Sequence, residues 1–212
     1  NLNIGWVLDV DVHSFFDTLD HRVCRDLLRE RVSDGVIVRL VGKWLNAGVL
    51  EGGVTKRPSS GTPQGGVISP LLANIYLHHV LDKWWIEEVL PRLRGRAILI
   101  RYADDFVIGF EHEDDARRVH AVLPKRFGKY GLTLHPDKTR LLRFGSRSQQ
   151  NGPRGPGGGE TFDFLGFTHH WGKTRKGRTA VLRRTMQARF SRALRAVSKW
   201  CRSHRHWKIV DQ

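Results

Sequence analysis

Apolar positions along this chain switch between two periods. Over residues 5–12 (GWVLDVDV) they alternate, with Leu8, Val10 and Val12 on one side and Asp9 and Asp11 on the other, which predicts a buried strand. Residues 97–102 (AILIRY) and 106–110 (FVIGF) read as two more strands around a short bend. Further strands are expected over 140–144, over 161–167, and over 179–183, the last pairing with 161–167 across a Lys/Gly turn. Helical spacing governs most of the rest. Asp20 can cap a helix over 21–32, and Asp34 a second over 35–46 with Gly48 just past its end. Ser69-Pro70 predicts a helix start, with Ser at the cap and Pro in the first turn. That helix carries Leu72, Ile75, Tyr76 and Leu81 inward, runs to about Val89 and stops before Pro91. Residues 113–127 read as a surface helix with Ala116, Val119, His120 and Leu123 inward and an acidic first turn that suits its dipole.

Gly52-Gly53 and residues 58–61 are turn signals, and 145–160 is a polar Gly/Pro-rich stretch expected to be a flexible loop. Residues 185–203 place Met186, Phe190, Leu194, Val197 and Cys201 at helical spacing, with Arg189, Arg192, Arg195, Lys199 and Arg202 mostly elsewhere on the wheel. This is an amphipathic basic helix. The fold class is therefore α+β: a mostly antiparallel sheet packed on helices, followed by a strand pair and a basic helix.

With 212 residues, 40% of them apolar, the chain is long enough for a sizeable core. Two cysteines, Cys24 and Cys201, do not make a disulfide framework, so a reduced cytoplasmic setting is expected. No run approaches the roughly 20 apolar residues of a membrane span. The net charge is +15, and its placement matters more than its size. Residues 164–210 hold thirteen Lys and Arg and no acidic residue, an electrostatic footprint for a phosphate backbone. The eleven histidines, His169, His170, His204 and His206 among them, lack partners at metal-ligand spacing.

The adjacent pair Asp104-Asp105 sits at the bend between two strands, where both carboxylates can lean toward one pocket. Like charges that close need compensation, and a divalent cation is the usual answer. Either Asp9 or Asp11 can join them if the strands are neighbours. Three carboxylates from two strands make a two-metal site for nucleotidyl transfer, and an oxygen-only ligand set favours Mg²⁺ over zinc. The competing reading of a lone Asp-Asp pair is a solvated turn. Arg101 is expected simply to neutralise these acidic neighbours.

The blocks VLDVDVHSFFDTLDH (7–21), SSGTPQGGVISPLLANIYLHHVLD (59–82), RYADDFVIGF (101–110), GLTLHPDKTRLLRFG (131–145) and FDFLGFTHHWGKTRKGR (162–178) resemble, in order, the palm of reverse transcriptases, most closely the bacterial group II intron-encoded reverse transcriptase/maturase type. The resemblance implies a palm over 1–145, a loop over 146–160, a primer-grip strand pair over 161–184 and the start of a thumb over 185–212. It implies RNA-directed DNA synthesis with two Mg²⁺ ions, Mn²⁺ being a substitute. Asp11, which lies five residues before Phe16, becomes the metal ligand with Asp104, Asp105 and the Val12 carbonyl, leaving Asp9 a supporting role. Phe16 becomes the ring that closes off the sugar C2′ and selects deoxynucleotides by exclusion. Its presence speaks against an RNA-dependent RNA polymerase.

The same resemblance assigns Pro63, Gln64 and Gly65 to the incoming nucleotide, and Tyr102 and Ala103 to a position below the primer terminus. Lys138 becomes a general acid for the departing pyrophosphate. Leu165 and Gly166 fall to the primer grip, and Arg189, Arg192 and Arg195 to a face that tracks the template–primer duplex. Expected partners are an RNA template, a DNA primer, deoxynucleoside triphosphates and a group II intron RNA served by a maturase role, without a membrane, in the bacterial cytoplasm. The chain opens at Asn1 almost directly on a core strand, so the family's fingers region is expected to be missing. The alternative function is a non-catalytic RNA-binding palm relic or domesticated fragment.

Overall fold

The computed structural model describes residues 4–46, 49–51, 54–56, 61, 68–145 and 160–205. The chain divides into two units, Asn1–Gly145 and Ser146–Gln212, each described by itself.

The first unit is built on a four-stranded sheet. Its strands are β1 (Trp6–Val10), β4 (Ala97–Tyr102), β5 (Asp105–Phe110) and β6 (Arg140–Arg143), in the order β4-β5-β1-β6. Each neighbouring pair is antiparallel. It follows that β1 runs parallel to β4, and β5 parallel to β6, each pair separated by one intervening strand. Parallel strands need crossovers. The first passes through α1 (Phe15–Thr18), α2 (His21–Arg29), α3 (Gly35–Leu45), a small hairpin β2 (Val49–Glu51) and β3 (Val54–Lys56), and α4 (Ser69–Leu77). The second is α5 (Glu113–Gly128). Two split β-α-β crossovers interleaved in this way leave β1 and β5 central, with both edges of β1 paired.

Local chemistry accounts for the helix starts. Asp20 Oδ1 accepts from the amides of Arg22 and Val23 at 2.8 and 2.9 Å, and Asp34 Oδ1 from Val36 at 2.7 Å. Each such cap contributes about 1 kcal/mol. At α4 the expected cap is one residue out of place: Ile68 holds the cap position and Ser69 is already helical and buried.

The core lies between sheet and helices. Leu8, Val10, Phe106, Ile108 and Phe110 meet Leu72, Tyr76 and Leu81 from one crossover and Ala116, Val119, Leu123 and Phe127 from the other. Phe106 stacks on Phe127 with ring centroids 5.8 Å apart, and Trp85 meets Phe110 edge-on at 6.0 Å. Burying each such ring stabilises the fold by about 1.5–3 kcal/mol. Tyr76, fully buried, donates its hydroxyl to the Tyr130 carbonyl at 2.6 Å, and burial raises its pKa above the ordinary range. Cys24 is buried too, which pushes its thiol up to about 11 and leaves it unreactive.

The expected regular helix to Val89 is not what forms. After α4 the chain widens into π-type turns over His78–Lys83 and Trp85–Val89, then tightens through Leu90–Arg92, so that Pro91 lies within the last turn. Arg126 of α5 meets the widened turns. Its guanidinium donates to the carbonyls of Val80 and His79, both at 2.9 Å, and lies over the rings of Trp84 and Tyr130. A cation from another element meets the carbonyls of the widened turn.

The second unit holds β7 (Phe162–Phe164), β8 (Phe167–Lys173), β9 (Thr179–Thr185) and α6 (Gln187–His204). Three antiparallel strands replace the expected pair, because residues 161–167 are not one strand. The chain reverses at Leu165 and Gly166, with Phe164 paired to Phe167. Residues 179–185 then pair with β8 along its whole length, around a turn in which Gly177 has φ 74°. The apolar stripe of α6 is not covered within the unit: Phe190, Leu194, Val197 and Trp200 are all at least half exposed.

Candidate active site: a carboxylate hairpin beside an acidic strand

Register builds the first part of the site. Val10 pairs with Phe106 in the last rung of the β1–β5 ladder, so Asp11 and Asp105 are the residues that adjoin that rung on each strand. Across the hairpin, Tyr102 pairs with Asp105, leaving Ala103 and Asp104 as a two-residue loop. Asp104 therefore occupies the bend, while Asp105 is the first residue of β5. The loop is strained, with Ala103 at φ 54°, a region a side chain enters only at a cost. Tyr102, at the end of the edge strand, is 68% exposed.

On its other flank, the acidic strand meets two cations. Arg140 Nη2 lies 3.1 Å from Asp9 Oδ2, and these two residues are direct cross-strand partners. Lys138 Nζ lies 3.1 Å from Asp11 Oδ2. The backbone beyond β1 is tied to the same region: the Asp11 carbonyl accepts from His135 at 2.8 Å, Val12 bridges Leu134, and the His13 amide donates to Thr133. Val12 is buried, so its side chain anchors this turn in the core.

Ser14, at φ 45°, redirects the chain into α1. Phe15 enters the core, and Phe16 packs half-buried at its margin, edge-on to Phe15 with centroids 5.4 Å apart. Against this short helix lies Gly61, at φ 88°, where a Cβ would sit 2.7 Å from the Asp17 carbonyl and 2.8 Å from that of Phe16. The Gly61 amide donates to Leu19 at 2.8 Å, and buried His21 donates through Nε2 to the Gly61 carbonyl. The chain is thus pinned to α1 just before Pro63, Gln64 and Gly65, which lie outside the described residues.

Three contacts were not legible in the sequence. The fork of Arg101 goes to Asp82, with further bonds to Asn74 and to the Ala103 carbonyl. Asp115, almost fully buried on α5, accepts from the amides of Arg94 and Gly95 at 3.0 and 2.9 Å and pairs with Arg118. Burial works to raise its pKa, but the Gly95 amide, the Arg118 guanidinium and the Arg94 amide outweigh burial and hold it below the ordinary value. It thereby fixes the approach to β4. The third is the His21 latch on Gly61.

In the second unit, Leu165 and Gly166 form the tip of the β7–β8 hairpin at φ 52° and 83°. Arg189 of α6 comes down on that tip, its Nη1 2.5 Å from where a Gly166 Cβ would be, and the Met186 amide donates to the Gly166 carbonyl at 3.1 Å. Gly166 and Arg189 are therefore brought together. Arg192 and Arg195 lie on the exposed body of α6.

Among the described residues, no three or more His, Cys, Asp or Glu side chains close around a metal position. Asp11, Asp104 and Asp105 are oxygen donors, the chemistry a hard cation takes. Asp11 and Asp105 directly follow and precede the last β1–β5 pair, Val10 with Phe106, Asp104 is next to Asp105 in the loop, and the Asp11 carboxylate already holds a cation in the Lys138 ammonium. Also among the described residues, no helix is long and apolar enough to cross a membrane.

Over residues 3–169 the chain matches the family described as Reverse transcriptase (RNA-dependent DNA polymerase). It is 35% identical over 166 residues to Protein YkfC of Escherichia coli, a match that takes in 64% of this chain and 43% of that protein. It is 43% identical over 82 residues to the Group II intron-encoded protein LtrA of Lactococcus lactis, which covers 39% of this chain and 14% of LtrA. The chain thus spans under half the length of either relative. Among solved structures it resembles apo telomerase from Candida tropicalis, with a TM-score of 0.61 and 14% identity over 80% of this chain and 31% of that one. At that identity the likeness concerns the fold, an α+β arrangement with antiparallel strands on helices.

Proposed function

Because the chain belongs to the reverse transcriptase family, we propose that it carries the centre for RNA-directed DNA synthesis of a group II intron-type enzyme. The observation that supports this most directly is the register that ends the β1–β5 ladder at Val10 and Phe106, next to Asp11 and Asp105, and leaves Asp104 in the loop between Tyr102 and Asp105. Asp11, Asp104, Asp105 and the Val12 carbonyl would hold two Mg²⁺ ions, or Mn²⁺ in their place, which supply the charge neutralisation that nucleotidyl transfer needs.

The protein's own groups do the rest. Lys138, whose ammonium meets the Asp11 carboxylate, would give a proton to the leaving pyrophosphate. Phe16, partly buried on α1 and edge-on to Phe15, would set the width left at the sugar C2′. Gly61, pinned to α1, delivers the chain toward Pro63, Gln64 and Gly65, which would contact the incoming deoxynucleoside triphosphate. Tyr102 and Ala103 would support the primer terminus, and Leu165 and Gly166 the primer backbone. Arg189, Arg192 and Arg195 would meet phosphates of the RNA template and DNA primer. Similarity to group II intron-encoded proteins supports a further maturase role, the binding of an intron RNA through this basic surface.

Primer extension on an RNA template tests the reading. Asp104→Asn and Asp11→Asn should each lower extension by roughly 10²-fold or more, since either change misplaces the reacting groups, with RNA affinity unchanged. Asp9→Asn should retain most activity. If Asp9→Asn is the damaging change and Asp11→Asn is not, the ligand assignment is wrong by one strand repeat. RNA binding that survives EDTA in a protein unable to extend any primer would instead identify a non-catalytic RNA-binding palm.

A further inference from the structure

The loop that carries Asp104 contains a left-handed alanine, and something must hold it there. A two-residue hairpin normally meets that demand with Gly or Asn. Here Ala103 takes φ 54°. Left to itself, such a residue costs about 1–2 kcal/mol and would relax toward an ordinary conformation. Relaxing it would swing Asp104 and the start of β5.

One side chain reaches the strained peptide from within the sheet. Arg101 Nη1 donates to the Ala103 carbonyl at 2.9 Å and to Asn74 Oδ1 at 2.9 Å. Its Nε and Nη2 form a fork on Asp82, at 2.8 and 2.5 Å. Asn74 lies in α4, and Asp82 in the widened turns that follow it. The side chains of Arg101 and Asp82 are only 13% and 25% exposed, so water competes weakly for the pair. The loop is thereby tied through one guanidinium to the helix packed under the sheet. A lysine could not make the same set of contacts, because it lacks the planar fork.

We infer that Arg101, anchored by Asp82 and Asn74, is the positioning residue that locks the Ala103-Asp104 turn and so fixes where the Asp104 and Asp105 carboxylates point. This rests on the reading that those carboxylates carry the chemistry. The guanidinium acts through the Ala103 carbonyl and touches no reacting atom.

Two measurements on the full protein test it. The first is amide hydrogen exchange across Tyr102–Phe106, which needs no activity. Arg101→Gln should accelerate exchange there by about tenfold or more, as a local opening made easier by at least 1.4 kcal/mol, while β1 and β6 stay protected. Asp82→Asn, which keeps the donor to Ala103 but loosens its anchor, should show a smaller change. Unchanged exchange at the turn in a folded Arg101→Gln variant overturns the inference.

The second is kinetic. Arg101→Gln should lower kcat by roughly 10²-fold through misplacement, with KM for deoxynucleotide and affinity for RNA little altered, and Arg101→Lys should recover only part of the loss. In an Ala103→Gly background, where the left-handed turn carries no penalty, the loss from Arg101→Gln should shrink to under half on a logarithmic scale. An equal loss in both backgrounds means that Arg101 acts on something other than the turn, and the inference fails. If the unmodified protein extends no primer, the functional reading fails, and the exchange measurement still decides the clamp.

Discussion

Two hairpin tips in this molecule face the same physical problem and meet it differently. The β4–β5 tip puts a single non-glycine residue, Ala103, at positive φ. The β7–β8 tip puts two residues there, Leu165 and Gly166. Each is covered by an arginine. Arg101 is part-buried, fixed at both ends, and donates directly to the turn. Arg189 rises from an exposed helix and closes on Gly166 by proximity, in the space that a side chain would take. The first arrangement is over-determined and suits a site where two carboxylates must keep a set geometry. The second leaves its cation accessible, as a surface for a polyanion requires.

The comparison can be broken most severely at Gly166. Gly166→Val puts a β-branched residue at φ 83° and should destabilise the second unit by about 2 kcal/mol, the flexible end of Arg189 moving aside. Thermal unfolding with probes in each unit would read this; equal stability would mean that the tip does not hold the conformation described. A smaller effect is expected from Arg189, Arg192 and Arg195 changed together to Gln. The slope of log K against log salt should flatten by about 0.7–0.9 for each phosphate contact removed, with scrambled and cognate RNA affected alike. A wild-type slope would take α6 off the nucleic acid. The smallest effect separates the two tips directly. Leu165→Gly should stabilise the protein by up to about 1 kcal/mol by relieving the left-handed leucine, whereas Ala103→Gly should gain less, because Arg101 already holds that turn and glycine adds freedom to the unfolded chain. Identical shifts in Tm would erase the distinction.

The features visible in the sequence were those set by neighbours along the chain. Alternation in GWVLDVDV correctly separated the apolar side of β1 from the acidic one, and Asp20 and Asp34 cap the helices they precede. The Asp104-Asp105 bend lies between two strands, shifted by one residue because Asp105 already pairs with Tyr102. What escaped notice depends on partners far away in sequence. The widened turns after α4 meet Arg126, and Arg101 looks for a counter-ion among its neighbours until Asp82 is seen to lie beside it. The β7–β8 hairpin was hidden for another reason. A tip with both residues at positive φ usually advertises itself as Asn-Gly, and Leu-Gly within the apolar run FDFLGF reads as more strand. Likewise, the apolar spacing of residues 186–201 specified a helix without specifying that its stripe stays uncovered within its own unit.

The acidic strand poses a reading-frame problem during folding. Its repeat of aspartate and valine every two residues means that a slip of two positions against its neighbours would still bury valines and still present a carboxylate to the hairpin, but the wrong one. The basic residues on the far side remove that ambiguity. Arg140 stands opposite Asp9, and Lys138, two residues earlier, stands at Asp11. The two rungs match together in one frame alone, and a slip leaves one acid and one base unmatched. Each exposed pair adds little, about 0–1 kcal/mol, but together they distinguish between otherwise equivalent alignments. Their combined role is to index β1 against β6, with Asp9 at Arg140 and Asp11 at Lys138.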